Sequence, residues 1–347
     1  MTSIWVGKNM ENNLSEDLRN LAITKKLNFL IGSGASSPAI SLMSQIKKPT
    51  AKEIKNLQVS GRYLSDEEKE KIAKNEKLIK QIKKVSKRLL NENRNETLDD
   101  TQKKKLGEFK AFIRSISVIL NFSNSRETPR EANIFTTNYD LFIEEAVDEV
   151  LKEEVSLVFN DGARGYFNRF LDSSNFNRTV SYEGLNNNYI DELPSLTLIK
   201  PHGSVNWEKV GEGEDAKVII RNKVVESPMV VPPTGNEGRD TFMDNHFHDM
   251  LRVFQLELDK PESVLFILGF SFQDDHIARM IRRALRNRSL LIECFCWEDK
   301  DEQNIKKNLG YEYREIPQNF KFIKPSQFKN KDKLELKDLT SALKGKL

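Results

Sequence analysis

The sequence predicts an α/β protein built on a doubly wound parallel sheet, and three observations carry that prediction. Short apolar runs recur along the chain, each ends in a polar or glycine-rich turn, and most turns lead into a stretch with helical spacing of apolar residues. The 347 residues exceed an average domain and suit one large domain, 1–347, with insertions. Hydrophobic residues make up 38% and charged residues 31%, with 16 Gly and 11 Pro. A sizeable core is therefore available, and collagen-like, low-complexity and wholly disordered classes are excluded. No apolar run approaches the roughly 20 residues that cross a bilayer. The opening residues MTSIWVGKNMENN lack a basic segment followed by an apolar one, so the expected location is cytoplasmic. Fifty-five basic residues against 52 acidic ones leave a net charge of +3, which does not demand a nucleic-acid partner.

The elements follow in order. LNFLIGSGAS (Leu27 to Ser36) is a short apolar run ending in glycines, the pattern of a buried parallel strand feeding a helix. From about Pro49 to Phe122 the spacing is helical with many lysines on the polar face, which predicts a helical insertion. NIFTTNYDLFIEEAV (Asn133 to Val147) is strand, polar turn and amphipathic helix. A stretch rich in Asn, Asp, Ser, Gly and aromatics, about Asn160 to Pro194, predicts a long loop or small lobe. LTLIKPHGSVNW (Leu196 to Trp207) is a strand delivering a polar turn, and TFMDNHFHDMLRVFQLEL begins another helix. SVLFILGFSFQDDHIARMIRRAL (Ser263 to Leu285) is a strand, a Gly-Phe-Ser turn and a helix opened by two aspartates, which suit the positive end of its dipole. SLLIECFCW (Ser289 to Trp297) is a further strand, and the tail from Phe320 carries a short strand and a final amphipathic helix. In such sheets ligands bind beyond the carboxyl ends of the strands, where these turns lie.

Each turn carries chemistry with a plainer alternative beside it. Gly32-Ser33-Gly34-Ala35-Ser36-Ser37 can cradle a phosphate on backbone N–H groups, or can be a tight connection without a ligand. Ser37 replaces the third glycine of the dinucleotide fingerprint, and no strand ending in Asp or Glu follows about twenty residues on, which disfavours a hydride-transferring dehydrogenase. Thr136-Thr137-Asn138-Tyr139-Asp140 sets an amide and a carboxylate two apart, able to grip a polar ligand or to cap a helix. Lys200-Pro201-His202-Gly203-Ser204 offers an imidazole as a base near neutral pH, or as a hydrogen-bonded structural group.

No metal site is expected. Cys294 and Cys296 alternate onto one face as buried reduced thiols, and His246 and His248 are two apart on a helix, where side chains do not face each other. The lysine-rich stretch Lys69 to Arg88 reads as a solvated face or subunit contact before a nucleic-acid surface.

Taken in order, Gly-Ser-Gly-Ala-Ser, Thr-Asn-Tyr-Asp, His-Gly-Ser and Leu-Gly-Phe-Ser-Phe resemble the sirtuin family, whose signature segments are a GAGxS loop, a QNxD turn, an HG segment and a GTS-type turn. The resemblance spans roughly Asn28 to Trp297. It is closest to the bacterial SIR2-like branch of antiviral defence, whose last segment reads GxSxxDxxI; here it is Gly269-Phe270-Ser271-Phe272-Gln273-Asp274-Asp275-His276-Ile277.

The resemblance implies a Rossmann-like sheet, but protein-deacylating sirtuins carry a four-cysteine zinc ribbon between the HG and last Gly-Ser segments. This chain has no cysteine there, so NAD hydrolysis is implied in place of deacylation. By motif correspondence Asn138 positions the attacking water, Asp140 accepts from the carboxamide, and His202 contacts the ribose hydroxyls and serves as general base or hydrogen-bond partner. Gly32, Ser33, Gly34, Ala35 and Ser36 line the pyrophosphate, with Thr137, Gly203 and Ser204 beside them. Gly269 and Ser271 take the adenosine side, and Asp275 either joins them or serves only the helix dipole. The family implies NAD depletion and abortive infection, a homo-oligomer, and a HerA-like ATPase as a separate partner. A non-catalytic NAD or ADP-ribose sensor is the alternative.

Overall fold

The computed structural model describes residues 14–55, 65–92, 96–122, 130–183, 190–211, 216–231 and 245–346. Its strands in chain order are β1 (Lys26–Ile31), β2 (Glu131–Thr136), β3 (Val158–Asn160), β4 (Ala163–Arg164), β5 (Phe170–Leu171), β6 (Ser181–Glu183), β7 (Ile190–Glu192), β8 (Ser195–Ile199), β9 (Trp207–Val210), β10 (Lys217–Ile220), β11 (Ser263–Leu268), β12 (Leu291–Phe295) and β13 (Phe320–Ile323). Seven of them form one sheet in the order β13-β12-β11-β1-β2-β8-β3, with every pairing parallel. Successive strands step outward from β1 through β2 to β8 on one side, and from β11 through β12 to β13 on the other. The order reverses between β1 and β11, and a ligand crevice opens at such a reversal.

Alternation along the strands supplies two cores. Leu27, Phe29 and Ile31 of β1 join Ile134, Leu198 and Phe266 on one face, while Leu30, Phe135, Ile199 and Ile267 join on the other. The first face is covered by the helices 14–24, Asp66–Leu89, Asp100–Phe122, Phe142–Leu151 and Leu336–Leu343; the second by Asn245–Asp259, Asp275–Ala284 and Asp301–Asn308. The sheet is thus doubly wound. Cys294 and Cys296 are buried in the same core, as strand alternation requires, and both are free thiols.

The span read as a helical insertion divides into unlike parts. In Asp100–Phe122, Phe109, Phe112, Ile113 and Ile116 are fully buried. Phe112 meets Phe29 edge-on at 5.0 Å between ring centres, and Phe109 stacks on Phe142 at 5.6 Å. Each such ring contributes about 1.5–3 kcal/mol by burial, so this helix is a layer of the fold. The preceding helix, Asp66–Leu89, buries only a stripe, and a capping box between Ser65 and Glu68 opens it.

The described residues of the polar stretch read as a long loop or small lobe carry short strands. β4 and β5 pair with β10 and β9 in an antiparallel sheet of order β4-β5-β10-β9, and β6 pairs with β7. Leu171, Phe176, Trp207 and Val218 carry that sheet onto the core beneath Asn245–Asp259. The β9–β10 hairpin lies where the zinc ribbon of deacylating sirtuins is expected, and it contains no cysteine. No helix among the described residues is long and apolar enough to cross a membrane.

One carboxylate sits inside the sheet. Glu293 on β12 is 1% exposed, and its nearest cation, Lys321 Nζ on β13, is 3.9 Å away. Burial pushes its carboxyl up to about 7, with Lys321 opposing and Asp17 assisting. A folded pKa above the unfolded 4.5 means that the folded chain binds the extra proton, so this group's contribution to stability is full below pH 4.5 and is lost as pH rises through 7. Removing the charge with Glu293→Gln flattens this decline and stabilises the chain above pH 7 by up to about 3 kcal/mol, measured as urea unfolding from pH 5 to 8.

Candidate functional site

Four turns leave the carboxyl ends of β1, β2, β8 and β11, and each touches the next. The turn after β1, Ser33–Ser36, is a single 3-10 turn. The Gly32 N–H donates to the Leu268 carbonyl at 2.9 Å and the Gly34 N–H to the Gly269 carbonyl at 3.0 Å. A Cβ on Gly32 would stand 2.3 Å from the Gly269 oxygen, and one on Gly269, whose φ is +67°, 2.5 Å from the Ala35 nitrogen. The glycines therefore let two backbones touch across the reversal between β1 and β11.

The turn after β2 locks onto the turn after β1. Thr136 Oγ1 donates to the Ile31 carbonyl at 2.7 Å and accepts from the Asn138 N–H at 3.1 Å. Asn138 Nδ2 donates to the Gly32 carbonyl at 3.1 Å and to Ser36 Oγ at 3.2 Å, and Ser36 Oγ donates to Asp140 Oδ2 at 2.8 Å. Both amide hydrogens of Asn138 are engaged, which fixes its orientation. Its Oδ1 is buried with no donor among the described residues. Asp140 Oδ1 accepts from the Phe142 N–H at 3.2 Å, so both oxygens of this enclosed carboxylate already have donors. Thr137, between Thr136 and Asn138, is half-buried.

The turn after β8 is pinned by a buried cation. Lys200 Nζ donates to the Asp140 carbonyl at 2.6 Å, Glu144 Oε1 at 2.8 Å and Ser204 Oγ at 2.9 Å. The Val205 N–H donates to the Tyr139 carbonyl at 3.0 Å, which closes this turn on the one after β2. Gly203 takes φ +82° where a Cβ would stand 2.0 Å from the Met229 oxygen. Burial raises the carboxyls of Asp140 and Glu144, and Lys200 opposes the rise at both.

The last link crosses two strands. His202, carried by β8, reaches over β2 and β1 so that its Nε2 lies 3.1 Å from Asp274 Oδ2 in the turn after β11. Asp274 Oδ1 lies 2.6 Å from His276 Nδ1, and the two histidine Nε2 atoms are 3.4 Å apart. Among the described residues no donor is aligned on Asp274 Oδ1. Burial works to raise the Asp274 carboxyl, and the contacts with His202 and His276 outweigh it, holding the group well below the usual carboxylate range. By proximity alone these three side chains could also hold a metal ion. Two ligands of one tetrahedral zinc stand about 3.3 Å apart, however, and the 2.6 Å contact is the length of a charge-assisted hydrogen bond.

The residues predicted from the sequence divide by place. Gly32, Ser33, Gly34, Ala35, Ser36, Asn138, Asp140, His202, Gly203, Ser204 and Gly269 all lie on these four linked turns. Ser271 is exposed, and its carbonyl accepts from Asn308 Nδ2 at 2.8 Å. Asp275 points outward and pairs with Arg279 one helical turn on, whereas its neighbour Asp274 enters the site. His248 is exposed, and the side chain of His246 lies outside the described residues. Sequence reasoning missed Asp274, His276, Lys200 and Glu144. The Asp of the GxSxxDxxI segment falls on Asp274, and the Asp-x-His pair at the opening of the helix signalled His276.

A family model described as a SIR2-like domain matches residues 132–313, more than half of the chain. The chain belongs to the SIR2-like family. The matched span of this SIR2-like protein holds the turns after β2, β8 and β11, and the Gly32–Ser36 turn lies before it. The family binds NAD, and its chemistry is NAD-related. The chain matches no curated protein.

The buried ion group gives a test of how the turns are held. Lys200→Met strands Glu144 and Asp140 without their cation, and unfolding in urea at pH 7 should show a loss of about 3–5 kcal/mol. The loss shrinks towards pH 4, where protonation removes the uncompensated charge.

Proposed function

We propose that this SIR2-like protein hydrolyses NAD at the nicotinamide–ribose bond, releasing nicotinamide, ADP-ribose and a proton, and that it acts in antiviral defence by NAD depletion. The observation that carries the reading is the orientation of Asn138. Its Nδ2 is spent on Gly32 and Ser36, so the open Oδ1 is an acceptor with one task left, to hold the attacking water. A ligand rich in hydroxyl and amide N–H donors, as the ribose and carboxamide of NAD are, supplies what this end of the sheet lacks.

In this reading the bond to nicotinamide lengthens first, leaving an oxocarbenium-like sugar that water attacks. Asn138 orients the water, and His202 contacts the ribose hydroxyls and accepts the proton that the water loses. Asp140, enclosed against Ser36, accepts from the carboxamide through a remaining lone pair. The Gly32–Ser36 turn faces the pyrophosphate, with Thr137, Gly203 and Ser204 alongside. Gly269 and Ser271 take the adenosine side; the outward-pointing Asp275 keeps only its helix-dipole role. The lack of cysteine between His202 and Gly269 favours hydrolysis over protein deacylation, because the zinc ribbon that supports the acyl-lysine groove cannot be built. A homo-oligomer, a HerA-like ATPase partner and a cytoplasmic setting complete the proposal.

The test is nicotinamide and ADP-ribose release from NAD by the purified chain, alone and with the protein encoded beside it. Asn138→Ala and His202→Ala should each lower the rate by at least about 10²-fold without loss of folding. Tight NAD binding with no release in either setting would sink the hydrolase and leave a sensor.

A further inference from the structure

The hydrolase reading gives His202 a task and leaves Asp274 and His276 with none, although both reach into the site. We propose that Asp274 and His276 are positioning residues for His202: Asp274 holds the His202 proton on Nε2, which leaves Nδ1 as the basic nitrogen of the ring, and His276 steadies the Asp274 carboxylate from its other side. The proposal rests on the reading of His202 as the base in NAD hydrolysis.

The argument is an accounting of protons in a buried space. An ionised carboxylate only accepts, and a neutral imidazole has one donor and one acceptor nitrogen. His276 Nδ1 lies 2.6 Å from Asp274 Oδ1, too close for two bare acceptors, so the ring proton belongs on Nδ1 and leaves Nε2 bare. That bare nitrogen lies 3.4 Å from His202 Nε2, which also lies 3.1 Å from Asp274 Oδ2. With its proton on Nε2, His202 meets two acceptors with one donor. With its proton on Nδ1, it would set a bare nitrogen against a carboxylate oxygen and a second bare nitrogen. Lone pairs would then face one another at 6–12% side-chain exposure, where water does little to relieve the repulsion.

The carboxylate is also free for this work. Asp274 occupies the N-cap of Asp275–Ala284, a position where aspartate ordinarily accepts from the helix, yet it makes no side-chain cap bond. Lys200, on the same turn as His202, is turned away onto Asp140 and Glu144 and does not compete for the carboxylate.

The chain has four histidines, so a long-range proton–nitrogen spectrum of histidine-labelled full-length protein resolves His202 once His202→Gln has marked its signals. The expected wild-type spectrum has the proton on Nε2. Asp274→Asn, whose amide can donate to Nε2, should move part of His202 to the Nδ1–H form. It should lower kcat for nicotinamide release by about 10²-fold, with KM within about threefold. His276→Gln should cost less, about tenfold in kcat, because the contact with Asp274 Oδ2 remains.

An Nδ1–H signal in the wild type would overturn the proposal. So would an unchanged tautomer and kcat in Asp274→Asn, or one zinc ion bound per wild-type chain and lost in that variant. If the wild type releases no nicotinamide, the hydrolase reading falls by itself. In that case, or if Asp274→Asn does not fold, the wild-type tautomer alone decides between Nε2–H, which upholds the positioning role, and Nδ1–H, which ends it.

Discussion

The turns after β1 and β11 touch backbone to backbone, and the rest of the site is placed by that contact. The Gly34 N–H and the Gly269 carbonyl close it, and a Cβ on Gly32 or Gly269 would force it open. Asn138 is then anchored on the Gly32 carbonyl, the turn after β8 is anchored on Tyr139, and His202 returns across the sheet to Asp274. The four turns form a closed circuit, β1 to β2 to β8 to β11 and back. Because each link is a hydrogen bond or ion pair between two of the turns, a displacement at one is felt at all of them. Preorganisation of this kind is what a site needs to hold a water and a sugar in attacking distance.

Two charge arrangements of opposite sense sit on that circuit. Under the turn after β8, one cation faces two buried carboxyls, and burial wins at both, since Asp140 and Glu144 are raised despite Lys200. Over the turn, one carboxylate faces two imidazoles, and the imidazoles win, since Asp274 stays ionised despite its burial. The first arrangement is a strut: Lys200 ties the backbone of Asp140 to Ser204 and fixes where the turn goes. The second places a lasting negative charge against a titratable ring. Neighbouring groups whose environments push their ionisation apart are the usual mark of acid–base chemistry, while a strut alone is not.

The legibility of the chain follows the physics of each signal. β1, β2, β8, β11 and β12 stand out because each is a run of apolar residues buried on both faces. Period-2 alternation then places Cys294 and Cys296 in one core. The second sheet was hidden because β4 and β5 are two residues long and lie in polar sequence, where pairing is set by β10 and not by any local pattern. Asp100–Phe122 looked peripheral because its lysines weigh as much as its phenylalanines in composition, although Phe109 and Phe112 fill the core. In the site, the glycine, asparagine and histidine turns were readable one by one. Their linkage was not, since the Asn138–Gly32 bond joins residues 106 apart.

The choice between Asp274 and Asp275 shows where such reading stops. Both open the same helix, and either satisfies the dipole, so composition favours neither. The backbone separates them: Asp274, at the N-cap with φ −75° and ψ 97°, is extended and aims back at the sheet, while Asp275 is already helical and aims at Arg279 in solvent. A capping aspartate that makes no cap bond forgoes about 1 kcal/mol of helix stability. What it meets in exchange is His202, from a strand three places away in the sheet. A local rule broken at the one point where two distant turns meet is better explained by what those turns hold than by the helix they leave unsatisfied.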